Sequence, residues 1–75
     1  MTPEQFYELD EMEQAEVIWE GKHIADREYE QYSILLYKIE DDLYVEVYLH
    51  KQHNVIHKFM AYREHELLDI YLPKN

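Results

Sequence analysis

Leu43-Tyr44-Val45-Glu46-Val47-Tyr48-Leu49-His50 decides the fold of this chain, because Leu43, Val45, Val47 and Leu49 alternate without a break with Tyr44, Glu46, Tyr48 and His50. Successive side chains of an extended backbone point to opposite faces. The stretch therefore predicts a strand with one aliphatic face turned to a core and one tyrosine-rich, ionisable, wetter face. That second face is the candidate interaction surface, assigned to Tyr37, Tyr44, Glu46, Tyr48, His50 and His57.

Working outward, Tyr32 to Ile39 reads as a second strand, and Glu40-Asp41-Asp42 as a turn whose short acidic side chains bond their own backbone. A three-residue loop there sets Ile39, Tyr37 and Leu35 opposite Leu43, Val45 and Val47, which completes an apolar face. Lys51 to Asn54 is the next turn and Val55 to Tyr62 the last strand. Its register is open, because Val55, Phe59 and Ala61 lie on one face while Ile56, Met60 and Tyr62 lie on the other. Upstream, His23 to Gln31 is polar with weak alternation and suits an edge strand or an extended arm, its charges discouraging edge pairing.

Both ends are helical in pattern. Thr2 is placed as an N-cap, with Pro3 at the first helical position and Gln5 closing a capping box, and Phe6 and Leu9 face inward. Continuing that stripe would bury Glu13 and Glu16, so the helix breaks near Asp10. Asp10 and Glu13 form a second capping box, restarting a helix whose apolar face is Met12, Ala15, Ile18 and Trp19 and which Gly21 ends in the left-handed conformation. A competing reading makes Glu16 to Trp19 a strand turning at Glu20-Gly21, since Val17 and Ile18 tolerate either state. Glu64 to Leu72 closes the chain as a helix carrying Leu67, Leu68, Tyr71 and Leu72, stopped by Pro73. The fold class is α+β: two short N-terminal helices, an antiparallel meander of three or four strands, and a C-terminal helix.

Seventy-five residues make a single small domain, and a chain this short buries only about 60% of its extended surface on folding. A partner is an expected source of further stability. The absence of Cys excludes disulfides and thiolate metal sites. The start lacks a basic and apolar leader pattern and no apolar run approaches the roughly 20 residues of a membrane span, so a cytoplasmic protein is expected.

The net charge of −10 is spread unevenly, with ten Asp and Glu in residues 1–30 against Lys22 and Arg27. Residues 47–63 hold no acid, only Lys51, Lys58, Arg63 and three histidines. Such a chain has no basic field with which to release counterions from a phosphate backbone, so direct nucleic-acid binding is disfavoured. Protonation of the hairpin histidines would make that end complementary to the acidic helices of another copy, which predicts self-association growing from pH 7.5 to pH 5.5.

No motif points firmly to chemistry. His50, His53 and His57 with Glu46 have the composition of a zinc site, but only a two-residue turn at His53-Asn54 sets His50 opposite His57. No metal or cofactor is therefore assigned. His65-Glu66-Leu67-Leu68-Asp69 approaches the H-E-x-x-H pattern but has Asp69 in place of its second histidine. Ser33 is the only serine, and no Gly-rich loop exists to cradle phosphate or an oxyanion. An enzyme is not expected.

Glu13-Gln14-Ala15-Glu16-Val17-Ile18-Trp19-Glu20-Gly21, His23-Ile24-Ala25-Asp26-Arg27-Glu28, Tyr44-Val45-Glu46-Val47-Tyr48 and Asn54-Val55-Ile56 together resemble small uncharacterised bacterial proteins of about this length. The resemblance implies a complete bacterial chain and carries no activity, substrate or site residue.

The leading expectation is a non-enzymatic protein–protein interaction module, a homodimer or the small partner of a larger protein, using the tyrosine-rich sheet face. Clustered tyrosines suit such a surface through a rigid ring with a hydrogen-bonding tip. The alternative is an acidic decoy that occupies the groove of a nucleic-acid-binding protein, and the third a small metal-binding or hydrolytic protein.

Overall fold

Thr2 and Asp10 open two helices by the same device. In the computed structural model, which describes residues 1–71, the Thr2 hydroxyl accepts from the Gln5 amide while the Gln5 side chain accepts from the Thr2 amide. Asp10 and Glu13 repeat this exchange. The two capping boxes begin α1 (Pro3–Glu8) and α2 (Glu11–Glu20), with the bend between them at Leu9, whose backbone is extended. Gln14 donates to the Phe6 carbonyl at 3.0 Å and holds the two helices together across the bend.

Four strands follow: β1 (Lys22–Tyr29), β2 (Tyr32–Glu40), β3 (Leu43–His50) and β4 (Ile56–Tyr62), then α3 (Glu64–Tyr71). They form one antiparallel sheet in the order β1-β2-β3-β4. His23 onward is therefore an edge strand, paired with β2 through a two-residue turn at Glu30-Gln31. Glu30 has φ 52°, in the first loop position, where a hairpin turn of the II′ kind takes glycine. The Leu35–Val47 and Tyr37–Val45 pairs form as the sequence predicts. The Ile39–Leu43 pair does not, because a bulge after Lys38 sets Leu43 opposite Glu40. The open register of the last strand resolves with Ala61 opposite Val45 and Phe59 opposite Val47, so Phe59 and Ala61 join the aliphatic side and Met60 and Tyr62 the other. Val55 precedes the strand and is exposed.

A helical layer lies on each side. Phe6 of α1 and Ile18 of α2 pack with Leu43, Val45, Val47 and Ala61 on the aliphatic face. Leu67 of α3 packs with Leu36 and Tyr44 on the opposite face, flanked by Tyr62 and Tyr71. The N-terminus of α3 is fixed from outside, since the Glu64 amide donates to Asp42 in the β2–β3 turn at 2.9 Å. Asp42 thus holds a helix end, where the sequence suggested a bond within its own turn. Leu68 is exposed, and the predicted contributions of Leu72 and Pro73 lie outside the described residues.

Two expectations for α2 are corrected. The helix rotates so that Ile18 is buried, with Gln14 and Val17 half-buried beside it, and Met12, Ala15 and Trp19 face solvent. Trp19 is 89% exposed. A capping box determines where a helix begins but leaves its rotation to packing, and packing favours the β-branched pair Val17-Ile18. Gly21 ends the helix with φ −79°, so left-handed freedom is not what the position needs. It needs space: a Cβ there would lie 2.7 Å from Ile39 Cδ1 and 3.0 Å from the Lys38 carbonyl oxygen, where the chain passes close over β2.

Candidate interaction surface

The tyrosine-rich face is closed. Glu46, at the centre of β3, is fully buried, and its two carboxylate oxygens collect hydrogen bonds from three elements. Arg27 of β1 donates from Nε to Oε2 at 2.8 Å and from Nη2 to Oε1 at 3.1 Å. The Tyr48 hydroxyl donates to Oε1 at 3.2 Å, and the Tyr71 hydroxyl of α3 donates to Oε2. Arg27 Nη2 also donates to the Tyr48 hydroxyl, and its guanidinium lies 5.7 Å from the Tyr71 ring centroid.

Electrostatics follow this geometry. Burial is the strongest influence on the Glu46 carboxyl and pushes its pKa up, but the hydrogen bonds from Arg27 and Tyr71, with the guanidinium charge and Tyr48, outweigh it and hold the group below the ordinary carboxylate value. The Tyr71 and Tyr62 hydroxyls are raised well above theirs, chiefly by burial and then by the Glu46 charge and hydrogen bonding. The hydrogen bond to Glu46 keeps Arg27 more firmly protonated than usual. This is a satisfied buried ion pair that fastens α3 to the sheet, and a carboxylate so fully engaged has no free lone pair to offer a ligand.

The predicted surface residues therefore divide. Tyr44, Glu46 and Tyr48 share one face, with Tyr44 buried and Tyr48 half-buried. Tyr37 is a correction: paired with Val45, it lies on the aliphatic side, where its ring sits 5.3 Å from that of His23. His50 and His57 are not opposite each other, since β4 carries a bulge at His57 and the His50 amide donates to the Val55 carbonyl. Both instead meet Tyr32, whose ring stacks on His57 at 5.0 Å and meets His50 edge-on at 5.7 Å. His53 lies 5.0 Å from His50. Among the described residues no group of three or more ligating side chains is arranged to hold a metal ion.

The unfilled surface is on the other side of the sheet. α1 covers the end near Ala61, where the Tyr7 hydroxyl accepts from the Ala61 amide at 2.8 Å and stops the β4 edge. The ten residues of α2 run beside β2 and leave the far end of the aliphatic face uncovered. The result is a groove of about 470 Å³ whose walls are Ala15, Ile18 and Trp19 on α2 and Leu35, Leu49 and Ile56 on the sheet. Ile56 is 55% exposed and Met12, along the helix from Trp19, 74%. The helix side of the groove is acidic, because Glu11, Glu13, Glu16 and Glu20 are all exposed and residues 1–20 contain seven acids and no Lys or Arg.

Reading the sequence located the apolar stripe Met12-Ala15-Trp19 but turned it inward. It missed Arg27 as the partner of Glu46. A carboxylate in the middle of a strand flanked by valines needs a buried cation, and Arg27 and Arg63 are the only arginines.

In comparison with known proteins, the chain matches no family model, no curated protein and no solved structure. The resemblance to small bacterial proteins thus gains no support, and the functional reading rests on geometry and charge.

Proposed function

We propose that this chain is a cytoplasmic, non-enzymatic protein–protein interaction module whose working surface is the groove between α2 and the sheet. The observation that carries the reading is Trp19, a large ring standing almost fully in solvent at the rim of an apolar groove in a protein that buries most of its other aromatic surface. An exposed aromatic beside an apolar depression is the usual form of an interface anchor, and contiguous apolar patches on small proteins mark binding sites. The groove replaces the tyrosine-rich face as the proposed site. It keeps the logic of a chain too short to cover both sides of its own sheet. No helix among the described residues is long and apolar enough to cross a membrane.

Photo-crosslinking in the cells that make the protein tests this. A crosslinking amino acid placed at Trp19 or Ile56 should give a discrete adduct with one protein, and the same group placed at Glu64, on the α3 side, should not. No adduct from any position, or identical adducts from all three, would contradict the reading.

A further inference from the structure

We infer that the occupant of the groove is a basic, amphipathic helical segment of another protein, with apolar side chains in the groove and Lys or Arg against the acidic side of α2. The inference rests on the proposed interaction reading and gives its partner a chemistry.

Three features of the groove narrow the choice. Its volume, about 470 Å³, falls in the range of small-molecule pockets, roughly 300–1,000 Å³. Such pockets fix their ligands with a few convergent polar groups, however, and the walls here offer only His23 and Tyr37, which face each other, with His23 already engaged by Asp26. Continuity along a helix is the second feature. Met12, Ala15 and Trp19 make a stripe parallel to the groove, extended by the depression between Glu16 and Glu20, so the apolar surface has the length of a facing helix. Apolar anchors spaced i, i+3 or i+4, i+7 would follow that stripe.

Charge is the third feature and sets the sign of the partner. Glu11, Glu16 and Glu20 border the apolar surface, and α2 carries no basic residue with which to neutralise them. A second copy would bring the same row of carboxylates and the same −10 to the contact. His57 and Lys58 line the depression beside Glu11, but the Lys58 ammonium lies 4.7 Å from the Tyr48 ring centroid and the His57 ring stacks on Tyr32, and no basic residue lines the depression at Glu16 and Glu20. A cationic segment meets its strongest attraction along the α2 border at Glu16 and Glu20, which speeds encounter and fixes orientation.

The single tryptophan makes the test direct, since its emission shifts to the blue when it leaves water. Two synthetic peptides of about 18 residues, long enough to be helical alone, carry the same leucine stripe with lysine or with glutamate elsewhere. Titration with the lysine peptide should shift Trp19 emission to the blue and saturate, and added salt should weaken binding. The glutamate peptide should give no shift. Ile56→Glu separates the groove from bulk charge attraction: it makes the protein more acidic, so a purely Coulombic contact would tighten, whereas seating in the groove should weaken roughly tenfold or more through an unpaired carboxylate in an apolar contact. Equal binding of both peptides, or tighter binding to Ile56→Glu, would overturn the inference while leaving an interaction module standing. So would a blue shift on concentrating the protein alone, with a doubled mass in sedimentation equilibrium. Failure of the crosslinking experiment would remove the interaction reading itself.

Discussion

The two faces of the sheet solve the same covering problem in opposite ways. On the α3 side a polar centre is sealed: Glu46 and Arg27 are matched donor to acceptor, and a short helix closes over them with Leu67 and Tyr71. On the α2 side an aliphatic face remains partly open, because α1 and α2 together cover only one end of it. Burial is therefore not a matter of which face is more apolar. A buried charge has to be enclosed with all its partners, since leaving it half-satisfied costs several kcal/mol, whereas an aliphatic surface left partly in water loses only its share of about 25 cal/mol per Å².

The largest expected effect comes from breaking the sealed side. Arg27→Ala leaves Glu46 buried without its cation and should lower unfolding stability by about 3 kcal/mol, the low end for a broken buried pair because part of the guanidinium is solvated. The double change Arg27→Met with Glu46→Leu should recover most of that loss in urea unfolding. A double variant as unstable as the two single losses added together would show that the residues are not coupled.

Tyr71→Phe comes next, at about 1.5 kcal/mol, the cost of a hydrogen bond to a charged acceptor. It also carries a pH signature. The Glu46 carboxyl is held below its ordinary value, so its contribution is present above that value and fades as pH falls through the acid range. The Tyr71 hydroxyl is held above its ordinary value, so its contribution is whole below about pH 10 and fades as pH rises further. Stability measured from pH 8 to pH 12 should therefore fall less steeply in Tyr71→Phe than in the natural chain. Parallel slopes would mean that this hydroxyl ionises as freely in the fold as out of it.

On the open side the effects shrink. Gly21→Ala presses a methyl toward the Lys38 carbonyl and should cost about 1 kcal/mol, by thermal unfolding, through a small displacement of α2 from β2. Trp19→Ala should change stability by less than about 0.5 kcal/mol, an unusually small figure for the loss of a tryptophan, because the ring is mostly in water. A loss of several kcal/mol would mean that the ring is packed and the groove filled.

Much of this arrangement was legible in the residues. The perfect alternation of Leu43 to His50, the two capping boxes and the meander all have local causes, and all appear where the local chemistry puts them. The site was legible only in its parts. Tyr44, Glu46 and Tyr48 do share a face, but alternation reports that two faces exist and not which one a helix will cover. That depended on Arg27, distant in sequence, and on Asp42 receiving the first amide of α3. The rotation of α2 was hidden for a similar reason, since Val17-Ile18 and Ile18-Trp19 are comparable apolar edges until the sheet selects one. Tyr37 was misplaced against its own register, which had already set it opposite Val45.

The contrast between the faces can be read in one experiment, the attenuation of methyl NMR signals by a soluble paramagnetic chelate. Ile56 and Leu49, at the groove, should broaden strongly at low chelate concentration, while Leu36 and Leu67, packed together between the sheet and α3, and the fully buried Ile34 keep their intensity. Equal protection of both sets would show that the groove is closed in solution, and loss of the Leu36 and Leu67 signals would show that α3 does not seal its face; either result contradicts the account.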